Sequence, residues 1–344
     1  MTLFKPKFLI TGSAGFIGYH LSKLLLSKNY KVLGIDGFTD YYDVKLKKDR
    51  NRQLKKHSNF KDYECLLENY DKMSSICLKE KPDIIIHLAA QAGVRYSIEN
   101  PRSYVDSNLI GTFNILELSK ILKVKHLLIA STSSVYGFSE MFPFHENQKS
   151  DKQISFYAAT KKANESMAHS YAYTYKIPTT VFRFFTVYGP WGRPDMALFK
   201  FTKAILSGNI IDIFNHGDMK RDFTFVDDLV KSIFLLSEKI PSNSKKRKKI
   251  FKNDSLSNVA PWRVVNIGNS KSIGLINYVN ELELALGKKA KKNFVGMQVG
   301  DVKETLSDTK LLENLTGFKP DTSIEVGIKK FVDWYLTYYK INNY

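Results

Sequence analysis

A glycine-rich turn joins the first strand of this chain to its first helix. Apolar residues 7–11 are followed by GSAGFIG, with glycines at positions 12, 15 and 18, and apolar side chains then recur at helical spacing over 16–29. A turn without side chains lets a pyrophosphate approach the helix N-terminus, where the helix dipole and the free N–H groups bind anions. The G-x-x-G-x-x-G spacing alone is a weak signal, because it also fits a simple tight turn.

An acidic residue strengthens the dinucleotide interpretation. Asp36 stands eighteen residues beyond Gly18, at the end of the second apolar run, 31–36. A carboxylate at this place accepts hydrogen bonds from an adenosine ribose and repels a 2′-phosphate. Residues 37–39 carry no cation that would replace it. We therefore predict NAD rather than NADP, with a structural turn aspartate as the alternative.

The rest of the first half alternates strand-like and helix-like segments. Apolar runs typical of strands occupy 83–88, 125–130 and 179–185, and crossover helices fit 102–122 and 157–175. Such alternation implies a parallel sheet. We predict an α/β fold, a Rossmann-type doubly wound parallel sheet with a smaller mixed α/β C-terminal substrate lobe.

The second half of the chain is built from shorter pieces. They read as a helix at 196–207, a strand at 210–214, a helix at 227–238, a polar loop at 241–261 and a strand at 263–267. We expect residues 1–190 to form the NAD-binding domain with the catalytic residues. Residues 191–344 then form mainly the substrate lobe, with some chain crossing back near 215–265.

Charge and composition limit the partners. The 344 residues carry a net charge of +18, mostly from scattered lysines, which is typical of a solvated surface. The basic run at 245–249 could contact nucleic acid or a membrane but is more typical of a solvated insertion. Cys65 and Cys77 are too few for a disulfide scaffold and are not spaced as a metal or redox pair. We expect a cytoplasmic protein without a metal, nucleic-acid or membrane partner.

A tyrosine and a lysine one helical turn apart provide a candidate base. In YAATK, Tyr157 and Lys161 share a helix face, so that the ammonium favours the phenolate. The same spacing recurs at Tyr19 and Tyr41, each with a lysine four residues later. Only Tyr157 opens a helix after a strand whose carboxyl end carries the hydroxyl-rich STSSVYG, residues 131–137. Those hydroxyls could hold or pass a proton, or could form a simple turn or helix cap.

These motifs together resemble the extended short-chain dehydrogenase/reductases, the nucleotide-sugar epimerase and dehydratase family. The resemblance rests on GSAGFIG, Asp36, HLAAQAGVR at 87–95, Asn108, STSSVYG and YAATK, and runs over nearly the whole chain. It implies Tyr157 as the catalytic base, Lys161 as the ligand of the nicotinamide ribose that lowers the tyrosine pKa, and Thr132 as the third catalytic hydroxyl. The implied NAD-binding residues are Gly12, Gly15, Phe16, Ile17, Gly18, Asp36, Leu88, Ala89, Ala90, Asn108, Ser131, Tyr157 and Lys161.

One position departs from the family pattern. Relatives usually have an aspartate after the third strand to contact adenine, whereas this chain has Cys65 and Leu66 there. A backbone contact is the alternative at this position.

The neighbours of Thr132 indicate which reaction the resemblance implies. Dehydratases and decarboxylases of the family carry an acidic residue beside the catalytic hydroxyl, but here Ser133 and Ser134 follow it. A hydride shuttle at one carbon needs only the tyrosine, the hydroxyl and NAD. Segments 183–196 and 215–224 resemble the UDP-glucuronate 4-epimerases in particular. The resemblance therefore implies C4 epimerisation of UDP-glucuronate to UDP-galacturonate through a transient 4-keto sugar.

The same resemblance implies a set of substrate contacts. The C6 carboxylate of the sugar is expected to contact Thr132, Ser133, Ser134, Thr186 and Arg193. The diphosphate is expected to contact Arg95 and Arg221, and the uracil is expected to contact Phe199 and Asn215. Gln298 and Asp301 are expected to border the phosphate and the ribose. Arg221 could instead pair with a neighbouring aspartate.

Other readings stay open. The alternatives are a 4-epimerase of UDP-N-acetylhexosamine, its uronate or UDP-glucose, and a non-enzymatic NAD-binding regulator. The resemblance also implies a homodimer formed by helices 102–122 and 157–175, and a role in polysaccharide biosynthesis.

Overall fold

The computed structural model describes residues 5–242 and 253–341. Within them the strands are β1 Lys7–Thr11, β2 Lys31–Asp36, β3 Phe60–Glu64, β4 Ile84–His87, β5 His126–Thr132, β6 Thr179–Phe184, β7 Thr186–Tyr188, β8 Ile210–Ile213, β9 Lys220–Phe225, β10 Trp262–Ile267, β11 Ser272–Gly274 and β12 Lys291–Phe294. The helices are α1 Phe16–Ser27, α2 Val44–Leu54, α3 Tyr70–Glu80, α4 Tyr96–Glu99, α5 Pro101–Tyr104, α6 Gly111–Leu122, α7 Phe156–Tyr175, α8 Ala197–Leu206, α9 Val226–Ser237, α10 Leu275–Leu286, α11 Lys310–Thr316 and α12 Ile324–Tyr339. The basic run 245–249 lies outside the described residues.

Seven parallel strands form the central sheet in the order β10-β6-β5-β4-β1-β2-β3. The chain moves outward from β1 in one direction through β2 and β3, and in the other through β4, β5 and β6. Ligands of such sheets bind at this reversal, outside the carboxyl ends of the strands. The predicted Rossmann-type parallel sheet is confirmed.

Helices cover both faces of the sheet because side chains alternate along each strand. Phe8 and Ile10 point to the face covered by α1, α9 and α11. Leu9 and Ile85 point to the opposite face, which α3, α6 and α7 cover. Except for β3 at the edge, the strands are therefore buried on both faces, and their ends and the following loops remain to form a site.

The remaining strands build a second lobe. β7, β9 and β11 form one small sheet and β8 and β12 another, and a separate apolar cluster packs them against α8, α10 and α12. β10, from late in the chain, lies beside β6 in the central sheet. The division of the chain at residue 190 stays a prediction.

Some elements differ from those predicted. The helix predicted at 102–122 is divided into α5, a π-helical turn at Val105–Ile110 and α6. The stretch 37–82 contains α2 and α3, for which no helix was predicted, and β3, which the position assigned to Cys65 after a third strand had implied. Among the described residues, no helix combines the length and apolar character needed to cross a bilayer.

Candidate active site

The glycine turn lies at the centre of the crevice, between β1 and α1. Gly12 has φ +73°, and a Cβ there would lie 2.9 Å from the Cα of Ala89. A Cβ on Gly18 would lie 2.0 Å from the carbonyl oxygen of Gly12. Both positions therefore require glycine. Gly15 caps α1 without a side-chain hydrogen bond, so the N–H groups of Phe16 and Ile17 face an open end suited to a pyrophosphate.

Asp36 ends β2 beside this turn. Its carboxylate oxygens accept the backbone N–H groups of Ala14 at 3.0 Å and Phe38 at 2.9 Å. Each carboxylate oxygen keeps a second lone pair for a ribose hydroxyl. The two backbone hydrogen bonds thus fix the carboxylate beside the glycine turn, and its contact with the ribose stays a prediction.

Lys47 is a cation near Asp36 that sequence reasoning missed. It is buried on α2, where its Nζ lies 3.1 Å from the Oγ1 of Thr39. Burial lowers the pKa of Lys47, and the charge of Asp36 acts in the opposite direction. No motif links the two residues, because α2 itself was not predicted.

Cys65 occupies the position expected for an adenine contact. Its backbone N–H donates to the carbonyl of Asp36 at 3.0 Å, and the side chain is buried. Burial raises the pKa of the Cys65 thiol. The residue is therefore a neutral neighbour of the strand that carries Asp36.

The loop after β4 packs on the glycine turn. Thr11 accepts the N–H of Leu88 at 3.1 Å and that of Ala89 at 3.2 Å through its hydroxyl. Asn108, in the π-helical turn, accepts the N–H of Gln91 at 2.9 Å and donates to the Gln91 carbonyl at 3.0 Å and to the Thr160 hydroxyl at 3.0 Å. Asn108 thus ties the loop containing Leu88, Ala89 and Ala90 to helix α7.

Tyr157 and Lys161 lie in the first turns of α7, which the Ser155 hydroxyl caps by accepting the N–H of Ala158 at 3.2 Å. Burial raises the pKa of Tyr157, whereas the charge of Arg193 and the Thr132 hydroxyl lower it. The expectation that Lys161 also lowers this pKa stays a prediction.

Lys161 is directed into the sheet. Its Nζ donates to the carbonyl of Ala130 on β5 at 2.8 Å. Burial lowers the pKa of Lys161 to about 8, and the carboxylate of Glu165 acts in the opposite direction. Lys161 is therefore a cation whose proton is held less tightly than that of an ordinary lysine.

A buried ion pair, also missed from the sequence, supports this end of β5. Glu165 accepts two hydrogen bonds from Arg183, at 2.9 and 2.8 Å, and one from the Ser131 hydroxyl at 2.7 Å. Ser131, predicted as a cofactor residue, therefore uses its hydroxyl to anchor β5 to α7.

Thr132 and the two serines form a hydroxyl-rich corner. Thr132 Oγ1 accepts the N–H of Ser134 at 3.2 Å and lies 3.2 Å from the Ser134 hydroxyl. Ser133 and Ser134 open the 3-10 turn Ser133–Tyr136, and Thr186 begins β7 in a half-buried position. These residues lie at the carboxyl ends of β5 and β6, beside Tyr157.

The other predicted substrate residues form two groups. Arg221 donates to Asp301 at 3.0 Å, and the N–H of Asp301 donates to the carbonyl of Gln298 at 3.3 Å. The Oε1 of Gln298 is buried without a hydrogen-bond partner, which suits a polar ligand group. The guanidinium carbon of Arg95 lies 4.6 Å from the centre of the Phe214 ring. Phe214 directly precedes Asn215 in the chain.

Phe199 is the predicted residue that the structure places differently. Its ring packs in the core of the second lobe, 5.1 Å from that of Tyr335 and 6.1 Å from that of Phe331. The face of α8 that carries Phe199 is its apolar face, so we assign the ring to core packing rather than to uracil binding.

Arg50 is a further buried group that sequence reasoning missed. It donates to the carbonyls of Ala14 at 3.1 Å and Gly192 at 3.0 Å and to the hydroxyl of Tyr42 at 2.9 Å. The guanidinium thereby connects the glycine turn to the loop that carries Arg193.

Comparison with known proteins identifies the family of the chain. A family profile described as GDP-mannose 4,6 dehydratase matches residues 9–331. The chain is 52% identical to protein CapI of Staphylococcus aureus over 97% of this chain and 99% of that protein. It is 44% identical to UDP-glucuronate 4-epimerase 4 of Arabidopsis thaliana over 96% of this chain and 75% of that one.

Solved structures give the same result. UDP-glucuronic acid 4-epimerase from Bacillus cereus, in complex with UDP-glucuronic acid and NAD, superposes with a TM-score of 0.86 at 32% identity, covering 97% of this chain and 100% of that one. The chain therefore belongs to the extended short-chain dehydrogenase/reductase family, among the UDP-glucuronate 4-epimerases that its motifs resemble.

Proposed function

We propose that the protein interconverts UDP-glucuronate and UDP-galacturonate by epimerisation at C4, with NAD as a resident cofactor. The observation that carries the proposal is the position of Tyr157 in the first turn of α7, where the Thr132 hydroxyl and the charge of Arg193 both lower its pKa. A general base, a hydroxyl and a carboxylate-binding cation thus meet in one place. The relatives named for UDP-glucuronate support the same substrate.

The residues present fit a dinucleotide. The open N-terminus of α1, the Cβ-free surface of Gly12 and the carboxylate of Asp36 suit a pyrophosphate and an adenosine ribose. Lys161 and Asn108 lie where the nicotinamide end would follow, beside Tyr157. When bound, NAD would supply a reversible hydride acceptor for C4 of the sugar.

Tyr157 holds and moves the proton of the C4 hydroxyl. A phenol with an ordinary pKa of about 10 is a weak base at neutral pH, so a cation and a hydrogen-bond donor must stabilise the phenolate. Arg193 and Thr132 act in that direction here, against burial. Tyr157 takes the proton of the C4 hydroxyl, and the hydrogen on C4 would leave as the hydride that NAD accepts, so that C4 becomes a carbonyl. Return of the hydride to the other face of C4, with return of the proton from Tyr157 to the oxygen, would complete the inversion.

The C6 carboxylate distinguishes this substrate from neutral sugars. Ser133, Ser134 and Thr186 offer hydroxyl donors, and Arg193 offers N–H donors of a cation, which make the stronger charge-assisted hydrogen bonds. Arg95 and Arg221 are the cations that we assign to the diphosphate.

A homodimer is part of the proposal. Ile110, Phe113 and Ile121 on the π-helical turn and α6 are exposed, as are Tyr173 and Tyr175 at the end of α7. A row of exposed apolar side chains on two neighbouring helices is typical of an interface. A cytoplasmic location is supported by the free, buried thiols of the two cysteines, which suit a reducing compartment.

A panel of UDP-sugars tests the function. Purified protein is incubated separately with UDP-glucuronate, UDP-glucose and UDP-N-acetylglucosamine, without added nucleotide, and the products are separated by chromatography. We expect UDP-galacturonate from the first and at least about a hundredfold loss of its formation in Tyr157→Phe, the range for general base catalysis. Conversion of UDP-N-acetylglucosamine with UDP-glucuronate untouched would overturn the proposed substrate.

A further inference from the structure

Arg193 is held from one side by a carboxylate of its own loop. Its Nε donates to Oδ1 of Asp195 at 3.0 Å, and its Nη2 donates to Oδ2 at 2.5 Å. Both side chains are about one-fifth exposed, at 22% and 21%. Burial raises the pKa of Asp195, but the charge and hydrogen bonds of Arg193, together with hydrogen bonds from Tyr41 and the backbone, lower it overall, so the pair is ionic. A bidentate pair of this kind fixes the plane of the guanidinium as well as its position.

Tyr41 fixes the carboxylate in turn. Its hydroxyl donates to Oδ2 of Asp195 at 3.1 Å, and its ring centre lies 6.0 Å from the guanidinium carbon of Arg193. The Tyr41 ring packs at 4.7 Å against that of Tyr96, next to the loop after β4. Tyr41 thus connects the Asp195–Arg193 pair to the loop after β4. From the sequence alone, Tyr41 is notable only for the lysine four residues after it and has no role.

The hydrogen bonds leave one end of the guanidinium available. Nε and Nη2 are directed to Asp195, and Nη2 also donates to the carbonyl of Ala92 at 3.4 Å. Within residues 5–242 and 253–341 no acceptor is found for Nη1. The ring of Tyr96, which packs on Tyr41, lies 6.3 Å from that of Tyr104, and the Tyr104 ring lies 6.0 Å from that of Tyr157. A line of aromatic side chains thus connects Arg193 with Tyr157, and the charge of Arg193 lowers the pKa of Tyr157.

We propose that Asp195 is a positioning residue for substrate specificity, which, with Tyr41, fixes Arg193 so that its Nη1 meets the C6 carboxylate of the sugar. The inference rests on the proposed function, because it requires a uronate substrate. The Asp195–Arg193 pair has no net charge, so selection depends on the direction of the N–H donors rather than on attraction alone.

Orientation of the carboxylate matters because the 4-keto intermediate is a β-keto acid. When the bond from C5 to the carboxylate carbon aligns with the carbonyl π system, that bond breaks and carbon dioxide leaves. The electron pair of the bond then forms an enolate, which takes up a proton at C5. A fixed Arg193 holds the carboxylate out of that alignment, and a loosened Arg193 permits the loss.

Two variants test the inference, with Arg193→Ala as the reference. Asp195→Asn removes the charge and one acceptor, and Tyr41→Phe removes only the hydroxyl. We measure the KM for UDP-glucuronate, the carbon dioxide released per UDP-galacturonate formed, and the inhibition constant of UDP-glucose, which has no carboxylate. Asp333→Asn, an exposed change on α12 in the second lobe, is the control for charge alone.

For Asp195→Asn we expect about a tenfold increase in carbon dioxide per product, as for the loss of one charge-assisted hydrogen bond, with a raised KM. Tyr41→Phe should show about a threefold increase, as for one neutral hydrogen bond. The inhibition constant of UDP-glucose should stay within about twofold, since positioning of a carboxylate reader leaves a neutral sugar unaffected.

The outcomes separate the two proposals. If Arg193→Ala changes the carbon dioxide released per UDP-galacturonate and Asp195→Asn does not, Asp195 has no positioning role and the inference is wrong. A fall in KM for Asp195→Asn would also overturn it, because Asp195 would then compete with the substrate for Arg193. If Arg193→Ala itself changes neither quantity, the proposed role of Arg193 fails first.

Discussion

In the absence of NAD, the buried charge of Lys161 should lower the free energy of unfolding of the protein. Its side chain is 3% exposed, and burial lowers its pKa from 10.5 to about 8 although Glu165 acts against this. One pKa unit corresponds to about 1.4 kcal/mol, so keeping the ammonium charged inside the folded protein costs about 3 kcal/mol at pH 7. Lys161→Met removes this cost and also removes the hydrogen bond to Ala130, which contributes about 1 kcal/mol. We expect the free energy of unfolding to rise by about 2 kcal/mol.

The direction of the pKa shift determines how the stability difference changes with pH. The pKa of Lys161 is lower in the folded than in the unfolded state, so the penalty is fully present below pH 8 and disappears as the pH rises toward 10.5. The parent should therefore gain about 3 kcal/mol relative to Lys161→Met over that window. Urea unfolding of both proteins, stripped of NAD, at pH 7 and at pH 10 measures the difference.

A neighbouring lysine provides the control. Lys162 is 32% exposed along its side chain and lies on the same helix, so Lys162→Met tests removal of a lysine without deep burial. The difference in free energy of unfolding between Lys162→Met and the parent should be the same at pH 7 and at pH 10. A Lys161→Met protein that is less stable than the parent at pH 7, with the same difference at pH 10, would refute the reasoning.

Three further predictions follow from the fold. Arg50→Met should lower the melting temperature and the NAD retained after gel filtration, since Arg50 joins the carbonyls of Ala14 and Gly192; unchanged retention would contradict a link to the cofactor. Gly12→Ala should abolish NAD retention, measured by absorbance at the nucleotide band, because φ +73° and a backbone contact at 2.9 Å exclude a Cβ. Phe113→Glu should convert a dimer to a monomer in sedimentation, whereas an unchanged mass would place the interface elsewhere.

Features local in the chain were predictable. The glycine turn, Asp36 and the Tyr157–Lys161 pair each depend on a few neighbouring residues, and the alternation of apolar runs indicated the parallel sheet. Local geometry is set by spacing and residue type, which a sequence displays directly. The stretch 37–82 was harder, because α2 is polar and β3 is only half-buried, so neither shows a strong hydrophobic pattern.

Contacts between distant residues were not predictable. Tyr41 meets Asp195 across 154 positions, and no spacing rule connects them. Phe199 shows the same difficulty. Its place near the predicted uracil site was inferred from the local sequence, but its ring packs against Tyr335 of α12, which lies far along the chain. The Glu165–Arg183 pair could have been found, because an arginine inside the buried run 179–185 implies a charged partner.

Hydrogen transfer at C4 tests the central claim most directly. The protein is incubated, without added NAD, with UDP-glucuronate deuterated at C4, and the UDP-galacturonate formed is examined by mass spectrometry. If the hydrogen removed from C4 is held within the site and returned to the other face, the product retains the deuterium at C4. UDP-galacturonate that has lost the deuterium to solvent, or a complete absence of product from protein that holds NAD, would contradict the account.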